Sequence, residues 1–516
     1  MLSIDAPGPR LAPPPAAFNL AQYVLADGAA HPDKLALSVV GPTRSDDWSH
    51  ARLSRAVLGI AGGFQALGLA PGSRVLLRLG NSVEFPLAFL GAIAAGLVPV
   101  PTSSQLTGAE ITPMAGMLDP ALIVAGPGIA LPAPLPAPVI TEAELHDLAG
   151  HAPAAPVMGD PDRPAYAVFT SGTSGTPRAV VHAHRAIWAR RMMWDGWYGL
   201  RPDDRLMHAG AFNWTYTLGT GLMDPWSRGA TALIPAADTR VADLPGLMAA
   251  HNATIFAAAP GVYRQMLRHD LPPLPTLRHG LSAGEKLAES IRDAWQGATG
   301  TAIYEAFGMS ECSTFVSGAP DRPAPTGTLG RAQPGRRIAV LGADGPVRRA
   351  TPGVLAVAAD DPGLMLGYLG AEDETRARFR DGWFVTGDSV SMAKDGAITY
   401  LGREDDMMNA GGYRVSPVEV EAAMAAHPGV HEAACLTLKV SDSASVIACF
   451  YVPEAAPTEQ VDLSAHAHTR LAHYKCPRLF VAVDALPRGA NNKLLRRVLR
   501  DRVEAGEIAV PGLRAG

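Results

Sequence analysis

The chain has 516 residues, too many for one hydrophobic core, so at least two domains are expected. It is 47% apolar and 18% charged, a globular balance that excludes a disordered or fibrous chain. A formal net charge of −5 leaves no basic excess for nucleic acid or an anionic membrane.

The N-terminal stretch MLSIDAPGPRLAPPPAAF is proline-rich and lacks the long apolar run of a signal peptide. Beyond it, strand-like and helical patterns alternate. Residues 75–79, 97–101, 121–125 and 166–170 read as short apolar strands, and 54–67 and 84–95 as helices. The most apolar run, 85–101, is too short for a membrane span and reads as a buried helix entering a strand. This alternation predicts an α/β fold with mostly parallel sheets. Residues 126–164, rich in Pro and Ala, read as a loop-rich connection.

A different style begins near Gly402. Residues 416–427 read as a helix with a serine cap, Pro417 first and Glu419 third. Strands at 431–439 and 445–452 and a helix at 463–473 complete a small α+β domain. The expected division is a large N-terminal domain, 1–403, and a small C-terminal domain, 404–516, on a hinge. The four cysteines are far apart and show no metal or disulfide spacing, so a reducing cytoplasm is expected.

The strongest pattern is residues 166–187, YAVFTSGTSGTPRAVVHAHRAI. A β-prone run ends at Thr170, and an apolar, helix-like segment follows Arg178. Between them lie Ser171, Gly172, Thr173, Ser174 and Gly175. Glycines let backbone N–H groups converge and hydroxyls add donors, so an anion nest is expected, with Arg178 supplying charge. The P-loop of nucleotide triphosphatases is excluded, because no Gly-Lys-Ser/Thr is present.

This loop resembles the signature of the adenylate-forming superfamily, which includes acyl- and aryl-CoA synthetases, firefly luciferase and the adenylation domains of peptide synthetases. Here Arg178-Ala179 stands in place of the usual Lys-Gly. The resemblance covers nearly the whole chain, with the motifs in family order. Residues 282–287, SAGEKL, resemble the turn lining the adenine pocket, which places Gly284 and Glu285 there. Residues 304–313, YEAFGMSECS, resemble the aromatic-Gly-x-Thr-Glu segment. That likeness puts Glu305, Ala306, Phe307, Gly308, Met309 and Ser310 at the nucleotide and makes Glu311 the Mg²⁺ ligand. In WFVTGDSV, 383–390, Asp388 matches the aspartate that binds the ribose hydroxyls. Arg403 is implied to contact the nucleotide, Asp405 to be the hinge, and Gly411, Gly412, Tyr413 and Arg414 to line the coenzyme A tunnel. In LPRGANNKLLRR, 486–497, Lys493 falls on the catalytic lysine, while Gly489 and Asn492 depart from the family pattern.

The resemblance implies that a carboxylic acid is activated with ATP to an acyl-adenylate and then passed to coenzyme A. Residues 212–234 are similar to medium-chain and aryl acyl-CoA synthetases. Asn213 follows Phe212 where amino-acid-activating members carry aspartate, which disfavours an α-ammonium substrate. Gly308 matches a tryptophan of acetate-specific members, so an acid larger than acetate is expected. Trp214, Tyr216, Gly308, Met309, Cys312 and Phe315 are expected to line the acyl pocket. Two alternatives stand beside this reading: loading of an acyl carrier protein, and a nucleotide-binding protein of reduced ligase activity, suggested by Asn492.

Overall fold

Short apolar strands bounded by turns stack into sheets, and the chain divides into two units. The computed structural model describes residues 1–171, 177–404, 406–410, 413–441, 444–489 and 494–510.

The larger unit comprises residues 5–338 and 357–384. Its nine-stranded sheet has six central strands in the order Ile303–Met309, His279–Ala283, Ile255–Ala258, Arg205–His208, Thr231–Pro235 and Leu35–Val40. Each of these is parallel to its neighbour. Antiparallel strands close both edges. A four-stranded sheet of Val98–Pro101, Arg74–Arg78, Leu122–Ala125 and Val139–Thr141 is parallel throughout. The expected mostly parallel α/β layering is therefore present. The helix Glu84–Ala94 is buried along nearly its whole length and leads into the buried strand Val98–Pro101. Among the described residues no helix is long and apolar enough to cross a membrane.

Two expectations need correction. The segment after Arg178 is a strand, Pro177–Ala183, and only then a short helix, Arg185–Ala189. The β-branched Val180 and Val181 favour extended backbone, and antiparallel pairing with Pro164–Ser171 satisfies its polar groups. Within 126–164 lie a strand, Val139–Thr141, and a helix, Glu142–Ala149. Thr141 and Glu144 form a capping box there, a T-x-x-E signal that was legible in the sequence.

The nine-stranded sheet buries both faces. Phe256, Tyr263 and Trp295 pack in one cluster, and Trp197, Tyr198 and Tyr216 in another. Beside the second cluster sits an ion pair removed from water. Arg190 Nη2 lies 2.6 Å from Asp224 Oδ2, with side chains 6% and 1% exposed, and Tyr198 Oη donates to the same carboxylate oxygen at 2.7 Å.

The smaller unit comprises residues 1–4, 339–356 and 385–516. Residues 339–356 and 385–403 thus share a unit with the C-terminal segment. The strands Gly353–Ala358, Trp383–Met392 and Ile398–Arg403 lie side by side. A second sheet pairs Val430–Ser441 with Ala444–Pro453, and Leu479–Ala482 joins it in parallel. The helix Pro417–Ala425 carries its expected cap: Ser416 Oγ accepts from Glu419 N at 3.2 Å. Arg496, on the helix Arg496–Glu504, forms a bidentate pair with Glu421 at 2.9 and 2.5 Å.

All eight tryptophans lie in the larger unit, so their fluorescence reports on that unit alone. Asp224→Ala leaves the Arg190 charge buried without its partner. A loss of about 3–5 kcal/mol is expected, read as a lower urea midpoint by tryptophan fluorescence. A midpoint unchanged from the unaltered protein contradicts it.

Candidate active site

Ligands of open α/β sheets bind beyond the carboxyl ends of the parallel strands. One expected nucleotide segment, SAGEKL, runs off such an end, and the other, YEAFGMSECS, spans the adjacent strand Ile303–Met309 and the turn after it. Ser282 and Ala283 are in register with Glu305 and Ala306, so the two segments are neighbours. Gly284 has φ +98°, and a Cβ there would stand 2.7 Å from Trp214 Cζ2. The Trp214 ring therefore rests against the turn. One expected acyl-pocket residue thus meets one expected nucleotide residue. Glu305 has another task. Its buried carboxylate accepts from Leu287 N at 2.9 Å and Arg292 Nη2 at 2.6 Å, and Lys286 Nζ lies 3.3 Å away. Those bonds consume it, so its side chain braces the turn.

The expected anion nest falls between two antiparallel strands, Pro164–Ser171 and Pro177–Ala183. Thr170 pairs with Arg178 and Ser171 with Pro177 across it. Gly172, Thr173, Ser174 and Gly175 lie outside the described residues. Arg178 makes a forked ion pair with Glu374, Nε to Oε2 at 2.7 Å and Nη2 to Oε1 at 2.6 Å. Its planar guanidinium is thereby oriented at the end of the loop.

Glu311, taken by itself, reads as a surface acid. In the fold it is 6% exposed. Tyr368 Oη donates to Glu311 Oε1 at 2.7 Å, and Met365 N donates to Glu311 O at 2.7 Å. His182 Nε2 donates to Ser310 O at 2.7 Å. Arg190 Nη1 donates to Ser313 Oγ, and Arg336 Nη2 to Thr314 O at 3.2 Å. Ser313 has φ +64°, a left-handed conformation costly for a residue with a side chain. Bonds from several elements hold this turn in place. Burial, followed by the Glu311 carboxylate, pushes the Tyr368 hydroxyl up to about 12, so it remains a donor.

Tyr368 belongs to Gly367–Tyr368, which pairs with Val181 and Val180 of the hairpin. The hairpin sheet and the Glu311 turn are thus bonded together. Sequence reading missed Tyr368 and His182. A two-residue strand and one buried histidine leave no linear pattern to find.

The expected acyl-pocket residues do not all converge. Gly308 sits at an irregularity in the pairing of Ile303–Met309 with Ser313–Ser317. A Cβ there would lie 2.2 Å from Ser313 O and 2.5 Å from Thr314 Cα. Glycine is required by the hairpin backbone, so it is not by itself a sign of a roomy pocket. Cys312 is fully buried, its Sγ 3.9 Å from both Asp361 Oδ1 and Arg336 Nη1. Burial, then the Asp361 charge, pushes its thiol far up, and it belongs to that ionic cluster rather than to a pocket. Phe315 is buried edge-on against Phe307, with centroids 5.6 Å apart. Met309 is half-buried at the mouth of the turn. Tyr216 stands perpendicular to Trp214, with centroids 5.2 Å apart.

In the smaller unit, Asp388 and Arg403 are directly paired in register. Arg403 Nη1 lies 3.2 Å from Asp388 Oδ2, and Tyr400 Oη donates to Oδ1 at 3.2 Å. Burial and the Asp388 charge push the Tyr400 hydroxyl up, which keeps it a donor. Asp405, Gly411, Gly412 and Lys493 lie outside the described residues. Tyr413 and Arg414 are placed as backbone only, in the strand Tyr413–Val415.

No group of three or more His, Cys, Asp or Glu side chains suited to a metal occurs among the described residues. A hard cation that takes one carboxylate and completes its shell with phosphate oxygens and water fits this supply. Glu311 meets that requirement with one oxygen on Tyr368 and the other oriented by the same bond.

Residues 25–369 match the family model "AMP-binding enzyme", and residues 419–493 match "AMP-binding enzyme C-terminal domain". The chain is 31% identical over 476 residues to the 3-hydroxybenzoate–CoA/4-hydroxybenzoate–CoA ligase of Thauera aromatica, covering 86% of this chain and 89% of that one. It is 32% identical to the benzoate–CoA ligase of the same organism, covering 84% and 86%. The fold is similar to ATP-bound MatB from Rhodopseudomonas palustris, with a TM-score of 0.86 and 26% identity over 94% of this chain and 99% of that one.

Burial holds His182, His184 and His279 down at about 4, 3 and 4. His184 Nδ1 accepts from Leu20 N at 2.9 Å, which requires the neutral ring. Unfolded, each titrates near its ordinary value of about 6.5. The stability this provides is complete above pH 6.5 and is lost as pH falls toward the folded values. Each histidine is expected to cost about 1.4 kcal/mol per pH unit in that window. Urea midpoints by tryptophan fluorescence at pH 7.5, 6 and 5 measure it. A flat profile contradicts the assignment.

Proposed function

We propose that this chain, which belongs to the AMP-binding enzyme family, is an AMP-forming acid–thiol ligase that joins an aromatic or medium-chain acid to coenzyme A. The observation that carries the reading is the buried Glu311 turn, bonded through Tyr368 and His182 to the strands that flank the expected phosphate loop. Relatives named for benzoate and hydroxybenzoates support an aromatic acid.

The acid is ionised at neutral pH, so its activation needs no general base. A carboxylate oxygen attacks the ATP α-phosphorus, and the bond to the bridging oxygen breaks, releasing pyrophosphate. Thr170 to Gly175 supply backbone and hydroxyl donors to the phosphates, and Arg178 adds a fixed charge. Glu311 would hold Mg²⁺, which supplies positive charge to phosphate oxygens when bound. Asp388 takes the ribose hydroxyls, and Arg403 both orients Asp388 and faces the nucleotide. Lys493 offsets the charge that gathers in the transition state.

In the second step the coenzyme A sulfur attacks the acyl carbon and AMP leaves with the bridging oxygen. Gly411, Gly412, Tyr413 and Arg414 serve this step. The labour divides between residues 1–403 and 404–516, with Asp405 as the hinge. All four cysteines are free and buried, which supports a cytoplasmic setting.

Two outcomes are expected. A panel of aromatic and aliphatic acids should give acid-dependent pyrophosphate release, and adding coenzyme A should yield the acyl thioester and AMP. Acyl-AMP without thioester from every acid on the panel defeats the coenzyme A step. Lys493→Ala should cut pyrophosphate release by about 100-fold or more, while ATP affinity by calorimetry changes far less. Equal loss of both counts against Lys493 as the catalytic charge.

A further inference from the structure

Lys493 and the three residues before it lie outside the described residues, but both flanks of that segment are held. Arg488 and Leu494 form an antiparallel bridge, and Leu495 N donates to Pro487 O at 2.9 Å. Each flank also carries an arginine tied to a carboxylate. Arg488 Nη2 lies 2.9 Å from Glu432 Oε2 on the strand Val430–Ser441. Arg496, three positions after Lys493, forks onto Glu421 of the helix Pro417–Ala425. Glu421 Oε1 accepts from Cys435 N at 2.8 Å as well, so helix, strand and lysine flank meet at one carboxylate.

Arg496 has a further arm. Its Nη1 lies 3.5 Å from Asp406 Oδ2, and the Arg496, Glu421 and Asp406 side chains are 16%, 12% and 21% exposed. Asp406 N donates to Arg403 O at 3.2 Å, which bonds Asp406 to the end of the strand Ile398–Arg403, beside the expected hinge Asp405. Charge balance does not account for Asp406. The fork to Glu421 already neutralises Arg496, and a second carboxylate in the same place repels the first. Burial pushes the Glu421 carboxyl up, Arg496 opposes that shift, and Asp406 adds to it. What Asp406 supplies is a link between the lysine flank and the residue that follows the hinge.

We infer that Arg496 is a positioning residue: held by Glu421 and Asp406, it keeps Lys493 in register with the segment after the hinge and so sets where the lysine charge stands during acid activation. The inference rests on the acid-activating reading above. A lysine side chain is long and rotatable, and a charge that must meet the α-phosphate loses much of its effect when displaced by about 1 Å. Anchored flanks narrow that range. Among the described residues a Cβ on Gly489 would meet only the Leu495 side chain, no closer than 3.6 Å, so packing does not demand glycine there. The ion pairs on the flanks, rather than Gly489, restrain the segment. The second step uses coenzyme A and residues 411–414, so it does not depend on this link.

The test separates the two half-reactions in the full chain, with Asp406→Ala, Arg496→Lys and Lys493→Ala. Asp406→Ala leaves the Arg496 fork to Glu421 in place, and Arg496→Lys keeps the charge but loses the fork. The first half-reaction is pyrophosphate release with benzoate, or with whichever acid of the panel above the unaltered protein turns over fastest. The second is thioester formation from the synthetic adenylate of that acid and coenzyme A. Asp406→Ala and Arg496→Lys should each lower kcat for pyrophosphate release by about tenfold or more, with KM for ATP and the second half-reaction within about threefold of the unaltered protein. A merely structural role would lower both half-reactions together, and that result overturns the inference. Unchanged pyrophosphate release in Asp406→Ala overturns it too. Should Arg496→Lys fail to fold, Asp406→Ala decides alone, its retained thioester formation showing that the smaller unit is folded. If Lys493→Ala lowers pyrophosphate release and Asp406→Ala does not, only the link is refuted. If Lys493→Ala leaves release unchanged, or no acid supports release, the acid-activating reading fails and the inference with it.

Discussion

The hydrogen bond from Tyr368 to Glu311 is the contact on which the rest of the site depends. It fixes an otherwise rotatable carboxylate inside the protein and ties it to the strand pair Pro164–Ser171 and Pro177–Ala183. His182 to Ser310 and Met365 to Glu311 repeat the tie from the same sheet and from the segment leading to Tyr368. A buried carboxylate keeps one orientation only where packed, bonded neighbours hold it. The Glu311 turn and the two strands that flank residues 172–176 therefore belong to one bonded assembly.

Buried charge does the same work from the other side of the turn. Arg190 is neutralised by Asp224 and still spends one N–H on Ser313 Oγ. Arg336 pairs with Asp361 and spends another on Thr314 O. A buried ion pair adds little to stability by itself, but its spare donors can hold a backbone that would otherwise relax. Ser313, with its left-handed φ, is such a backbone. The strain is tolerated because the neighbouring bonds over-determine the conformation.

The turn also changes how Gly308 is understood. As a motif position it suggests an empty acyl pocket. In the fold its missing side chain is demanded by Ser313 and Thr314 of the facing strand. The case for an acid larger than acetate rests instead on the relatives and on the aromatic run of Trp214 and Tyr216. Arg178 is similar in kind. Its charge was legible, while its fork to Glu374, 196 residues away, was not.

The sequence alone determined the family, the α/β class, the strands and helices of strong periodicity, and the capped helix at Ser416. Those signals are local, since a cap, an alternation or a short motif carries its physics within a few residues. The Pro177–Ala183 strand was misjudged because its pairing partner, rather than its own pattern, decides its conformation. Tertiary structure alone decided what faces what: Tyr368 with Glu311 across 57 positions, His182 with Ser310 across 128, and Arg190 with Ser313 across 123. Burial and hydrogen-bond geometry are properties of surfaces brought together by folding, and no stretch of the chain holds them beforehand.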